Sequence, residues 1–83
     1  MEKVLVEIFV PALGRTYDMF IPCGVPMHQV LDLVKKAVSD MSGGQFLADE
    51  STVLSYHRDG SIININLSAY ELGIHNGSKL MLI

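Results

Sequence analysis

The chain has little with which to do covalent chemistry. It holds a single cysteine, Cys23, in 83 residues. A lone thiol forms no internal disulfide and suits a reducing compartment, and it cannot supply the four thiolates of an iron–sulfur cluster. Charge is sparse as well: 18% of residues are Asp, Glu, Lys or Arg, and the formal net charge is −3. The six Lys and Arg are scattered, with Lys35-Lys36 the only adjacent pair. Nucleic-acid binding calls for a basic stripe or patch, so that class is set aside. No apolar run approaches the roughly 20 residues of a membrane span. Met1-Glu2-Lys3 leads into an alternating pattern containing Glu7, not into the apolar core and cleavage site of a signal peptide. The expectation is a cytoplasmic location with no membrane insertion.

Catalytic and metal-binding patterns are missing too. His28, His57 and His75 fall on a predicted helix, a strand end and a turn, at separations that match no metal spacing such as H-x-x-x-H. His57-Arg58-Asp59 is a charged strand-to-turn segment with no nucleophile paired to it. Cys23, between Pro22 and Gly24, has no base near it in sequence and reads as a small half-buried side chain. Asn66-Leu67-Ser68 and Asn76-Gly77-Ser78 match the glycosylation sequon by chance in a chain without a secretion signal. No catalytic residue, cofactor or metal is expected, and the chain is not expected to be an enzyme.

What the chain does have is apolar patterning, with 49% hydrophobic residues. At this length only about 60–65% of the unfolded surface is buried on folding, so some of that apolar surface is left for a partner. Val4, Val6, Ile8 and Val10 alternate with Leu5, Glu7 and Phe9, which makes a β-branched strand. Pro11 to Arg15 reads as a hairpin loop, and Tyr17 to Ile21 as a second alternating strand paired with the first. From Met27 to about Met41, apolar Met27, Val30, Leu31, Val34, Val38 and Met41 recur at three and four, the stripe of an amphipathic helix. Gly43-Gly44 ends it, and 45–51 reads as a loop. Thr52 to His57 is predicted as a third strand, with a turn at Asp59-Gly60, and Ile62 to Ile65 as a short fourth strand or extended piece. Ser68 with Glu71 three residues on forms a capping box for a helical turn. Asn76-Gly77 turns again, and Lys79 to Ile83 is a closing strand.

This order, with regular first and last strands lying centrally and parallel, predicts an α+β fold: a mixed sheet with one main helix packed across one face. That is the β-grasp, here as one domain over residues 1–83. Leu67-Ser68-x-Tyr70, an aliphatic residue, a turn and an alternating last strand with Leu80 and Leu82 resemble the final third of ubiquitin. The Val-rich first strand, the helix start Val30-Leu31-Asp32-Leu33 and above all Gly73-Ile74-His75-Asn76-Gly77-Ser78-Lys79-Leu80 resemble the YukD/EsaB family. These are ubiquitin-like proteins of Gram-positive type VII secretion loci. Ser78 stands where that family usually has an acid, a departure that touches turn capping.

Side chains alternate along a strand, so Leu5, Phe9 and Phe20 share the face of the hairpin away from the helix, and Met81 and Ile83 join them from the last strand. Leu5, Phe9, Phe20, Met81 and Ile83 are expected to form one contiguous apolar patch. Aligning on the Leu-Ser-x-Tyr run places Ser55 at the centre of the surface through which ubiquitin reads partners, with Met81 and Ile83 flanking and Leu13 in the hairpin loop. A polar centre speaks against ubiquitin's own receptors. The competing reading scatters Leu5 and Phe20 over the surface or covers them with the loop around Phe46-Leu47. Each such side chain is worth roughly 1.5–3 kcal/mol when fully buried, enough for five to drive micromolar-order association.

The resemblance implies a non-enzymatic interaction module, an accessory or regulatory component of a type VII secretion system. It would dock onto a protein partner such as the membrane-bound secretion ATPase, or onto a second copy as a homodimer. The alternative is a ubiquitin-like modifier or sulfur carrier. That chemistry needs a mobile Gly-Gly carboxylate, whereas Leu80 to Ile83 read as sheet and Gly43-Gly44 is internal.

Overall fold

In the computed structural model, which describes residues 2–83, the elements run β1 (Lys3–Val10), β2 (Arg15–Pro22), α1 (Met27–Met41), β3 (Leu54–Tyr56), α2 (Ala69–Leu72) and β4 (Lys79–Leu82). The strands form one mixed sheet in the order β2-β1-β4-β3. β1 and β2 are an antiparallel hairpin from Lys3↔Pro22 to Val10↔Arg15. β1 and β4 run parallel at the centre, and β3 closes the other edge antiparallel to β4. This is the ubiquitin-like β-grasp.

The core lies between the sheet and α1. Val6, Ile8 and Val10 of β1, Ile21 of β2, Leu80 and Leu82 of β4 and Leu54 of β3 meet Met27, Val30, Leu31, Val34 and Val38 of the helix. The helix stripe is buried from Met27 to Val38 and leaves Asp32, Lys36 and Asp40 in water, while Met41, expected on the stripe, is exposed at the helix's last residue. Pro26 starts α1 without a side-chain cap. The helix's first N–H groups instead reach across the chain: Met27 N donates to the Leu67 carbonyl at 2.8 Å and His28 N to the Ile65 carbonyl at 3.0 Å. Unpartnered N–H groups at a helix start must be satisfied somewhere, and here the segment before α2 does it.

Two predicted strands are shorter than their composition suggests. β3 covers Leu54–Tyr56, not 52–57, because Thr52 Oγ1 accepts from Asp49 N at 3.0 Å and ties residue 52 into the preceding turn. At the other end, Gly60 N donates to the Tyr56 carbonyl and opens the next turn. Ile62 to Ile65 contributes a single bridge, Ser55↔Ile62, since Asn64 Oδ1 accepts from Asn66 N at 2.9 Å and bends the chain away. The capping box at α2 is formed as expected: Glu71 N donates to Ser68 Oγ at 3.2 Å and Ser68 N to Glu71 Oε1 at 3.1 Å. Gly73 follows in the left-handed region at φ 74°, a conformation that costs an L side chain energy.

Candidate protein-interaction face

Because Val6, Ile8 and Val10 point into the core, alternation sends Leu5, Glu7 and Phe9 to the outer face of the sheet. The strand register then arranges that face in rows. One row runs Thr16–Phe9–Met81–Ser55–Ile62 across all four strands and the bridge beyond. Next to it, Ile83 pairs with Val53 through Val53 N to Ile83 O at 2.8 Å and Ile83 N to Val53 O at 2.9 Å. On the other side lies a charged row, Asp18–Glu7–Lys79, extended to His57, whose N donates to the Lys79 carbonyl at 3.2 Å. Beyond that row sits the cross-strand pair Phe20–Leu5.

The single apolar patch expected from alternation is therefore divided. Phe9, Met81 and Ile83 come together. Leu5 and Phe20 form a separate pair, cut off by Glu7, Asp18 and Lys79. Parity assigns a residue to a face, but register decides which residues on that face are neighbours. Phe20 is 66% exposed, so the loop around Phe46-Leu47 does not cover it, and Phe46 itself is buried in the core. Leu13 packs against the core from the hairpin loop. Ser55 does sit in the middle of the apolar row, yet it is 0% exposed and its Oγ has no hydrogen-bond partner. It is a floor between Met81 and Ile62, not a contact point.

Two contributors escaped the sequence reading. Ile62, 66% exposed, continues the apolar row past Ser55. His57 packs its ring edge-on to Phe9, centroids 5.5 Å apart at 80°, in the T-shaped arrangement aromatic rings favour. The only signal for Ile62 was the turn at Asp59-Gly60, which folds 61–63 back along β3. The loop before β4 is tied to β1: Asn76 Oδ1 accepts from Leu5 N at 2.8 Å and Gly77 N donates to the Leu5 carbonyl at 2.8 Å. Ser78 fills the turn-capping role at its position, its Oγ accepting from His75 N at 3.0 Å. Cys23 is buried. Among the described residues no group of three or more His, Cys, Asp or Glu is placed to hold a metal ion. No helix among them is long and apolar enough to cross a membrane.

No protein-family model and no curated protein matches the chain. Solved structures do. The ubiquitin-like domain of the Mycobacterium tuberculosis type VII secretion system protein ECCD1 is 22% identical, with 100% of this chain and 99% of that one covered at a TM-score of 0.81. The EccD5 ubiquitin-like domain from Mycobacterium xenopi is 18% identical over 100% of this chain and 94% of that one, TM-score 0.72. The N-terminal ubiquitin-like domain in the 4931431F19Rik protein is 15% identical over 98% and 73%, TM-score 0.73. The whole chain thus superposes on ubiquitin-like domains of type VII secretion proteins, and nearly all of it on a ubiquitin-like domain from another protein, so the fold of this chain is the ubiquitin-like one.

Proposed function

We propose that residues 1–83 form one ubiquitin-like interaction domain without enzymatic activity, acting in the cytosol as an accessory or regulatory component of a type VII secretion system of the YukD/EsaB kind. The observation that carries this reading is the outer sheet face. Half-buried Phe9 and Met81 and exposed Ile62, with exposed Ile83 beside them, line up on a fold shared over its whole length with EccD domains. Apolar surface grouped in this way on a small domain marks an interaction site. The partner proposed is a protein of the same apparatus, first the membrane-bound secretion ATPase, with a second copy of the chain as the simpler possibility. Leu5 and Phe20 supply a second, smaller contact across the charged row.

The test is binding of the purified protein to the cytosolic part of the ATPase encoded in the same locus, by calorimetry, with self-association followed by sedimentation. Met81→Asp is expected to abolish binding and to leave the melting temperature nearly unchanged, because Met81 lies on the face away from the core. Phe20→Asp is expected to weaken it. Undiminished binding by Met81→Asp removes the outer face from the proposal. A gene neighbourhood lacking both an FtsK-like ATPase and WXG100-type substrates removes the secretion role.

A further inference from the structure

At one corner, at the end of the sheet where the turn after β3 meets the loop between α2 and β4, lies an open hollow of about 260 Å³, bordered by His57 and Lys79 of the outer face and by Arg58 stacked on core-side Tyr56. Its walls carry Arg58, Lys79, His57 and His75, with Tyr56 beneath Arg58, and no carboxylate lines it. In a chain of net charge −3 with six Lys and Arg and three His, two of the fixed cations and two of the imidazoles have been gathered in one place.

The cations are held, not loose. The Arg58 guanidinium stacks over the Tyr56 ring at 4.7 Å from the centroid, a contact that positions a cation without neutralising it. Among the described residues its one ion-pair contact is Asp59 Oδ2 at 3.8 Å, the long end of the range, while Oδ1 of the same carboxylate accepts from Ser61 N at 2.9 Å and Ser61 Oγ at 2.8 Å. His75 has its Nδ1 2.9 Å from the Gly73 carbonyl. A carbonyl only accepts, so Nδ1 carries the proton, which fixes the ring and leaves Nε2 free. Among the described residues Lys79 forms no ion pair; Glu7, its cross-strand neighbour on β1, lines an adjoining hollow together with Phe9, Thr16, His57 and Lys79.

His57 and Lys79 border both hollows, and His57 rests on Phe9 at the end of the apolar row. Charge and greasiness thus adjoin: the charged row beside the apolar one is basic at its Lys79–His57 end, next to the hollow, and acidic at its Glu7–Asp18 end. We infer that the corner is a recognition site for a carboxylate-rich segment of a protein partner, whose Asp or Glu side chains meet Arg58 and Lys79 while an adjacent apolar side chain lies on Phe9 and Met81. This rests on the outer-face reading above and adds the partner's chemistry: an acidic segment next to an apolar anchor, which binds in one direction because the acidic end of the charged row, Glu7 and Asp18, repels the reverse orientation. Complementary charge of this kind sets specificity and orientation more than raw affinity.

The test is a nuclear magnetic resonance titration of the isotope-labelled protein with three synthetic peptides of ten residues. One alternates glutamate with leucine, one has every glutamate replaced by glutamine, and one has every leucine replaced by serine. The glutamate–leucine peptide is expected to shift the amides of Arg58, His75, Lys79, Phe9 and Met81. The glutamine peptide, and the double variant Arg58→Glu with Lys79→Glu, are each expected to bind roughly tenfold more weakly, two exposed charge pairs' worth. Added salt is expected to weaken the first peptide and not the glutamine one. Equal binding of the glutamate and glutamine peptides, or no response at millimolar peptide, overturns the inference. If serine-for-leucine alone removes binding, the corner claim falls and the apolar-row reading stands; if only glutamine-for-glutamate matters, the row reading falls. Inorganic phosphate reproducing the corner shifts in full at the same concentration reduces the corner to a small-anion site and also overturns the peptide claim.

Discussion

Ser55→Ala should make this protein more stable. Ser55 lies in β3 between Met81 and the bridging Ile62, is 0% exposed, and its Oγ has no partner. A buried hydroxyl left without a hydrogen bond costs about 1–3 kcal/mol in protein mutational series. Alanine removes that cost and keeps the Cβ and the backbone ladder to Met81. Against it stands the loss of one oxygen's packing: a void of roughly 10–15 Å³, at about 24 cal/mol per Å³, takes back about 0.3 kcal/mol. The net is a gain of about 1 kcal/mol or somewhat more, and for a domain of this size each kcal/mol moves Tm by roughly 4–8 °C. The matched control is the same chemical change at Ser68, where the hydroxyl accepts from Glu71 N and anchors the capping box. There Ser68→Ala should destabilise by about 0.5–2 kcal/mol. Both are read by circular-dichroism melting and urea unfolding at pH 7. A lower Tm for Ser55→Ala would mean the hydroxyl is partnered in solution and would refute the reasoning.

Leu80→Ala, at the centre of the sheet and 1% exposed, should cost about 2–5 kcal/mol in urea unfolding through lost burial and the cavity left behind. Gly73→Ala should cost about 1–2 kcal/mol through backbone strain alone, since at φ +74° a Cβ meets nothing within 4 Å; an unchanged midpoint would show that the turn relaxes. The Asp59 carboxyl is held below its usual range, first by the Ser61 backbone N–H and then by the Ser61 hydroxyl. Its contribution is therefore complete above the unfolded aspartate value of about 3.9 and is lost as pH falls through the lower folded value. Asp59→Asn should melt below the parent at pH 7, and the difference should shrink under acid; a gap that is constant with pH would contradict this.

Periodicity made most of the architecture legible. The two-residue alternation in Val4 to Val10 and the three-and-four spacing from Met27 to Met41 each have one way to bury their apolar side, and both elements appear where the pattern puts them. The capping box at Ser68 and Glu71 is local chemistry and was readable for the same reason. The short strands were not. Thr52 and Asn64 turn the chain through their own side-chain hydrogen bonds, and an extended-looking composition does not reveal that competition.

The interaction face shows the same division more sharply. Which side of the sheet Leu5, Phe9, Phe20 and Met81 occupy follows from parity alone. A warning was available in the strand itself, because Glu7 stands between Leu5 and Phe9 at the same parity. That Phe9 lies beside Met81 while Leu5 pairs with Phe20 across a line of charge depends on the parallel register Glu7↔Lys79. Residues more than seventy apart in the chain set that register. The gathering of Arg58, His57, His75 and Lys79 at one corner has the same origin. Local sequence dictates period, caps and turns, because these involve atoms a few residues apart. Neighbourhood on a surface is decided only when the hairpin, the helix and the last strand have packed around one core.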